Sequence, residues 1–146
     1  MILWRISNHE NLGGRGGLRA AGRWHLAGFP VVYLSESSVG AMLEVCTCTC
    51  GVDAPPALKL LKVVGPNLSL EEIPESALPG GWQEKLTLTR KLGTAWLEGG
   101  KTALLRVPSV LAPETANYLL NPLHPRAELF RVERRYDYPF AAGGRG

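Results

Sequence analysis

The chain has 146 residues, 45% hydrophobic and 20% charged, with a formal net charge of +3. That is the size and balance of one globular domain, able to bury a core without disulfides or a structural metal. The mild positive charge suits an anionic small ligand or an acidic partner and is by itself no nucleic-acid signature.

The opening Met1-Ile-Leu-Trp-Arg5 lacks the basic leader and long apolar run of a signal peptide. No stretch approaches the roughly 20 apolar residues of a membrane span, so a cytoplasmic protein is expected. Ile2 to Ile6 reads as a strand, followed by a glycine-rich loop from Leu12 to Gly22 carrying Arg15 and Arg19. Phe29 to Leu34 is a β-rich run, and Ser35 to Ser38 offers N-caps for a helix with Val39, Met42, Leu43 and Cys46 on one face, ending at Gly51. Ala57 to Val64 reads as a strand broken by Gly65-Pro66. Ser69 to Glu72 has the form of a capping box for a helix kept short by Pro74. Gln83 to Leu97 is a second helix, with Leu86, Leu92 and Trp96 apolar. Ala103 to Val107 is a strand stopped by Pro108, Asn117 to Pro125 is a proline-bounded segment, and Glu128 to Tyr138 alternates as a last strand. Residues 143–146 form a frayed tail. The pattern predicts a single α+β domain with small mixed or antiparallel sheets and a few helices.

Several chemistries lack their motifs. There is no G-x-x-x-x-G-K-[ST], no H-E-x-x-H and no G-x-S-x-G. The glycines near residue 14 do not follow the order of a dinucleotide fold. His9, His25 and His124 are scattered and suggest no metal site. Cys46, Cys48 and Cys50 have neither disulfide nor zinc spacing and read as small apolar residues.

The dense stretch is Gly22 to Val45. Tyr33 lies in an apolar run, Glu44 sits among Ala41, Met42, Leu43 and Val45 where a free charge is costly, and Arg23 follows the glycine loop. An arginine fork pairs two phosphate oxygens. A tyrosine ring stacks on a base or a pyridinium. A carboxylate steadies the positive charge that a ribose develops as its glycosidic bond breaks. Composition equally allows Arg23 to pair with Glu44 or another acid, Tyr33 and Trp24 to be core, and Glu44 to lie on a solvated helix face.

The run GRWHLAGFPVVYLSESSVGAMLEV resembles the signature segment of the RES family. Leu104 to Val110 resembles its serine-bearing segment, and Asn117-Tyr-Leu-Leu-Asn121-Pro-Leu-His124-Pro its closing motif. The resemblance covers nearly the whole chain, residues 1–146. It implies a fold related to the ADP-ribosyltransferase toxins and a toxin that depletes NAD by splitting the nicotinamide–ribose bond, by hydrolysis or phosphorolysis. It also implies a helix-turn-helix antitoxin as partner, with nucleic acid contacted only through that antitoxin; a homodimer is plausible. NAD is then substrate rather than cofactor, inorganic phosphate a possible co-substrate, and no metal is needed. Carried over by position, Arg23 binds the diphosphate or ribose side, Tyr33 stacks on nicotinamide, Glu44 steadies the oxocarbenium-like transition state and Ser109 orients substrate. Ser109 is not read as a nucleophile, because no motif places a histidine to activate it. Arg5, Trp24 and Asn121 are further candidates for the lining. His25 stands where many relatives carry asparagine. The alternatives are protein ADP-ribosylation by the same residues, or an inactive binding module.

Overall fold

The structure is a computed structural model that describes residues 1–49 and 58–137, without the side chains of 46–49. Its strands are β1 (Ile2–Ser7), β2 (Val32–Ser35), β3 (Lys59–Val64), β4 (Glu71–Glu72), β5 (Leu104–Pro108), β6 (Ala116–Leu120) and β7 (Arg131–Asp137). Its helices are α1 (Gly16–Arg19), α2 (Ser38–Thr49) and α3 (Leu86–Gly99). The α+β class is as expected, but the strands join one seven-stranded sheet in the order β4-β5-β6-β2-β1-β3-β7. Its pairs are antiparallel except the parallel β4–β5 contact.

Strand alternation sorts the core onto the two faces of this sheet. One face carries Leu3, Val32, Leu34, Val63, Leu104 and Leu120, covered by Ala127 and Phe130. The other carries Leu105, Val107 and Leu119, covered by Trp96 and Leu97 of α3 and by Trp24 and Trp82. Each fully buried leucine contributes about 1.5–3 kcal/mol relative to exposure. Helix α3 also clamps the segment after the glycine loop. Thr89 Oγ1 donates to the Arg23 carbonyl at 2.6 Å, and Thr94 Oγ1 accepts from Leu26 N–H at 3.0 Å. Between them Gly93 leaves no room for a side chain: a Cβ there would lie 1.7 Å from the Trp24 carbonyl oxygen.

Several sequence expectations are corrected. The glycine-rich loop contains the short α1, stabilised by turn bonds such as Gly17 N–H to the Gly14 carbonyl. The Ser69–Glu72 capping box is instead the two-residue β4, because Glu71 and Glu72 find partners on β5. The proline-bounded segment holds the interior strand β6, paired on both sides. β2 starts at Val32, not Phe29, and β5 runs through Pro108. Gln83 lies in a 3-10 turn before α3, and Glu128 and Leu129 in another before β7. The expected apolar face of α2 is rotated: Val39 is 71% and Leu43 42% exposed, whereas Ala41 is buried. Cys50, Gly51, Tyr138 and residues 143–146 lie outside the described residues, as do the side chains of Cys46 and Cys48. No helix among the described residues is long and apolar enough to cross a membrane.

Candidate active site

Glu44 is positioned by how α2 starts. Ser37 caps the helix, its Oγ accepting from Gly40 N–H at 2.9 Å. Counting from that cap, Ala41 turns inward and Glu44, three residues on, follows it toward the sheet. There the Glu44 carboxylate meets two side chains from β6 and the end of β5. Asn117 Nδ2 donates to Glu44 Oε2 at 3.0 Å, and Ser109 Oγ donates to the same oxygen at 3.4 Å. Ser109 Oγ in turn accepts from Leu111 and Ala112 N–H at 3.1 and 3.2 Å. The serine's one proton is thus directed at the carboxylate. Among the described residues, Oε1 of Glu44 has no hydrogen-bond partner.

Tyr33 lies on the same sheet face. It opposes Leu119 while Ser35 opposes Asn117, so Tyr33 and Asn117 are diagonal neighbours about 7–8 Å apart. The Tyr33 hydroxyl accepts from Trp24 N–H at 3.0 Å and sits 2.7 Å from His25 Nδ1. The buried His25 closes the network as a neutral ring. Its Nε2–H donates to the Gly17 carbonyl at 3.3 Å, and Nδ1 accepts from Tyr33 and from Gly22 N–H. Burial lowers the His25 pKa and pushes the Tyr33 phenol up to about 12, so the Tyr33 proton stays in place at neutral pH. Gly22 has to be glycine, because a Cβ would lie 2.6 Å from the Tyr33 hydroxyl.

Arg23 extends beside this network, Nη1 donating to the Gln83 carbonyl at 2.5 Å. It forms no salt bridge with Glu44; the ion pairs among the described residues involve other cations. Arg90 of α3, which the sequence reading did not single out, donates from Nε to the Gly22 carbonyl at 2.7 Å. Asn117, rather than the expected Asn121, reaches the carboxylate. A strand reading of 116–120 is the signal that finds it, since that register sets Asn117 opposite Ser35.

The remaining candidates lie elsewhere. Arg5 shares a face with Leu3 and Ser7, opposite to that of Tyr33, and Nη2 donates to Ser7 Oγ at 3.1 Å. Burial lowers its pKa to about 10, which leaves it a cation at neutral pH. Trp24 is buried against Trp82, ring centroids 5.9 Å apart, in the cluster on which Tyr33 packs, and its backbone N–H donates to the Tyr33 hydroxyl. Asn121 is buried, donating to the Leu97 carbonyl and accepting from Leu123 N–H, and so ties the end of α3 to the chain after β6. Two hollows of about 340 and 290 Å³ flank His124 and include none of the site residues.

A half-buried, pre-oriented carboxylate on the same sheet face as a fixed tyrosine suits a ligand whose reacting centre turns positive. Known proteins agree in sequence and shape. The RES domain profile matches residues 2–141. A protein named Toxin Res from Pseudomonas putida is 46% identical over 136 residues, covering 91% of this chain and 92% of that relative. A protein named Prs ADP-ribosylating toxin from Sphingobium sp. is 32% identical over 142 residues, covering 90% and 88%. A chain from the crystal structure of the M. tuberculosis MbcT–MbcA toxin–antitoxin complex superposes with a TM-score of 0.77 at 18% identity, covering 94% and 83%, a likeness of fold. The chain belongs to the RES domain family.

Proposed function

We propose that this chain is the toxin of a toxin–antitoxin pair and acts by cleaving the nicotinamide–ribose bond of NAD. The observation that supports this most is the Glu44 carboxylate, held through one oxygen by Asn117 and Ser109, its other oxygen without a partner among the described residues. The C1′–N bond breaks and its electron pair returns to the pyridinium nitrogen, so nicotinamide leaves as a neutral ring. Glu44 stabilises the cation left on the ribose; donors fixed in advance keep the carboxylate from reorienting as that charge develops. Tyr33 offers a ring edge or face to nicotinamide, and Arg23 takes the phosphate side. Water capture gives ADP-ribose and releases a proton, whereas inorganic phosphate capture gives the phosphorylated sugar. Relatives named as toxins, and a fold shared with a chain of a toxin–antitoxin complex, support a partner antitoxin that masks this site. The test is expression without an antitoxin, following growth and cellular NAD. Arrest with NAD loss is expected for the wild type and neither for Glu44→Gln; arrest by Glu44→Gln at the wild-type level would contradict the reading.

A second reading is favoured by the relative named for ADP-ribosylating Prs. The same ribosyl cation would then be captured by a side chain of a target protein. NAD labelled in its adenylate half separates the two: label retained on protein supports transfer, and label in free ADP-ribose supports NAD consumption.

A further inference from the structure

Arg90 is anchored on the carbonyl of Gly22, the residue that precedes Arg23 and lies against the Tyr33 hydroxyl. Arg23 and Arg90 both act electrostatically on Tyr33, and Arg90 also acts on His25. Both arginines are half-buried, and neither has an acidic partner within salt-bridge distance among the described residues. Like charges gathered at one place repel, and partial burial strengthens that repulsion. The fold holds them there with neutral acceptors instead: the Gln83 carbonyl takes one Nη of Arg23, and the Gly22 carbonyl takes Nε of Arg90. Each fork keeps further N–H groups for a ligand. The anchor is short, because Gly22 lies directly against the Tyr33 hydroxyl. Arg90 Nε is therefore tied to the peptide that joins Gly22, packed against the phenol, to Arg23.

We propose that Arg23 and Arg90 form a two-cation clamp for the diphosphate of a dinucleotide, with Arg90 the residue that makes the site prefer two linked phosphates over one. This deepens the NAD reading and rests on it only for the identity of the natural ligand. One guanidinium per phosphate offsets the charge of each, and a ligand with a single phosphate leaves one arginine unmatched.

The probes are ADP and AMP, measured by titration calorimetry on the antitoxin-free full chain. The wild type is expected to bind ADP on the order of tenfold more tightly than AMP, the effect of one charge-assisted hydrogen bond. Arg90→Gln is expected to erase that ratio while AMP affinity stays near its wild-type value. Equal weakening of both ligands would make Arg90 only a support for the glycine loop and overturn the proposal. So would an unchanged ADP affinity, or a wild type with no ADP preference. If Arg90→Gln does not fold, Arg90→Lys decides: a reduced ADP-to-AMP ratio supports the clamp and a wild-type ratio overturns it. A wild type that shows the ADP preference but releases no nicotinamide from NAD would sink the cleavage reading and leave the clamp standing. Nicotinamide release without ADP preference would do the reverse.

Discussion

At the Glu44 end of the site, two side chains from β6 and the end of β5 converge on one oxygen of a carboxylate that α2 delivers. At the Tyr33 end, a phenol is held by a backbone N–H and by His25, which itself leans on the glycine loop. The first arrangement sits on regular elements and spends its hydrogen bonds on a charge. The second is a packing problem, in which glycines at 17, 22 and 93 let backbone, ring and helix approach within distances that a Cβ forbids. Damage at the first end should therefore fall on chemistry, and damage at the second on stability.

Gly93→Ala gives the largest contrast on the stability side. Its Cβ meets a backbone carbonyl that cannot swing away. A loss of about 3 kcal/mol or more in denaturant unfolding is expected. A stability within experimental error of wild type would show that α3 and Trp24 are not wedged together. Asn117→Ala tests the other end. It removes a charge-assisted hydrogen bond that orients the carboxylate, so nicotinamide release should slow about ten- to a hundredfold, with a loss of stability well below that of Gly93→Ala. Equal losses of stability and rate would erase the distinction between the two ends.

Tyr33→Phe is the intermediate case. The ring stays, but Trp24 N–H and His25 Nδ1 each lose a partner, costing about 1–2 kcal/mol of stability. NAD turnover should fall less than in Asn117→Ala. The smallest effect is a pH dependence. Because burial lowers the folded-state pKa of His25, the unfolded chain takes up a proton near its ordinary value of 6.5 that the folded chain still refuses. The stability due to His25 is thus complete above that value, declines as the pH falls through it, and levels off below the folded value. His25→Gln should flatten this part of the profile; an unchanged slope would assign it to other groups.

How much of this was legible in the sequence follows the same division. β1, β3 and β5 announce themselves as apolar runs, and the class of fold follows from them. β6 does not, because its signal is cut by flanking prolines and rests on partners distant in sequence. β4 imitates a capping box, since two residues have no periodicity and only their pairing with β5 makes them a strand. On α2 the apolar spacing of Val39, Met42 and Leu43 pointed to the wrong face. The helix is rotated to aim Glu44 at Asn117 and Ser109, and Val39 and Leu43 are left outside. Glu44, Ser109, Tyr33 and Arg23 could be singled out from the resemblance and from residue type. Asn117 and Arg90 could not, because their importance comes from which oxygen each one reaches. His25, which stands where many relatives carry asparagine, joins Tyr33 to the glycine loop.

The most direct measurement is to incubate the purified, antitoxin-free chain with NAD, with and without inorganic phosphate, and follow nicotinamide and the ribose product by chromatography. The account predicts nicotinamide release, with ADP-ribose or its phosphorylated form naming the group that captures the sugar. Intact NAD after incubation with folded protein would contradict it.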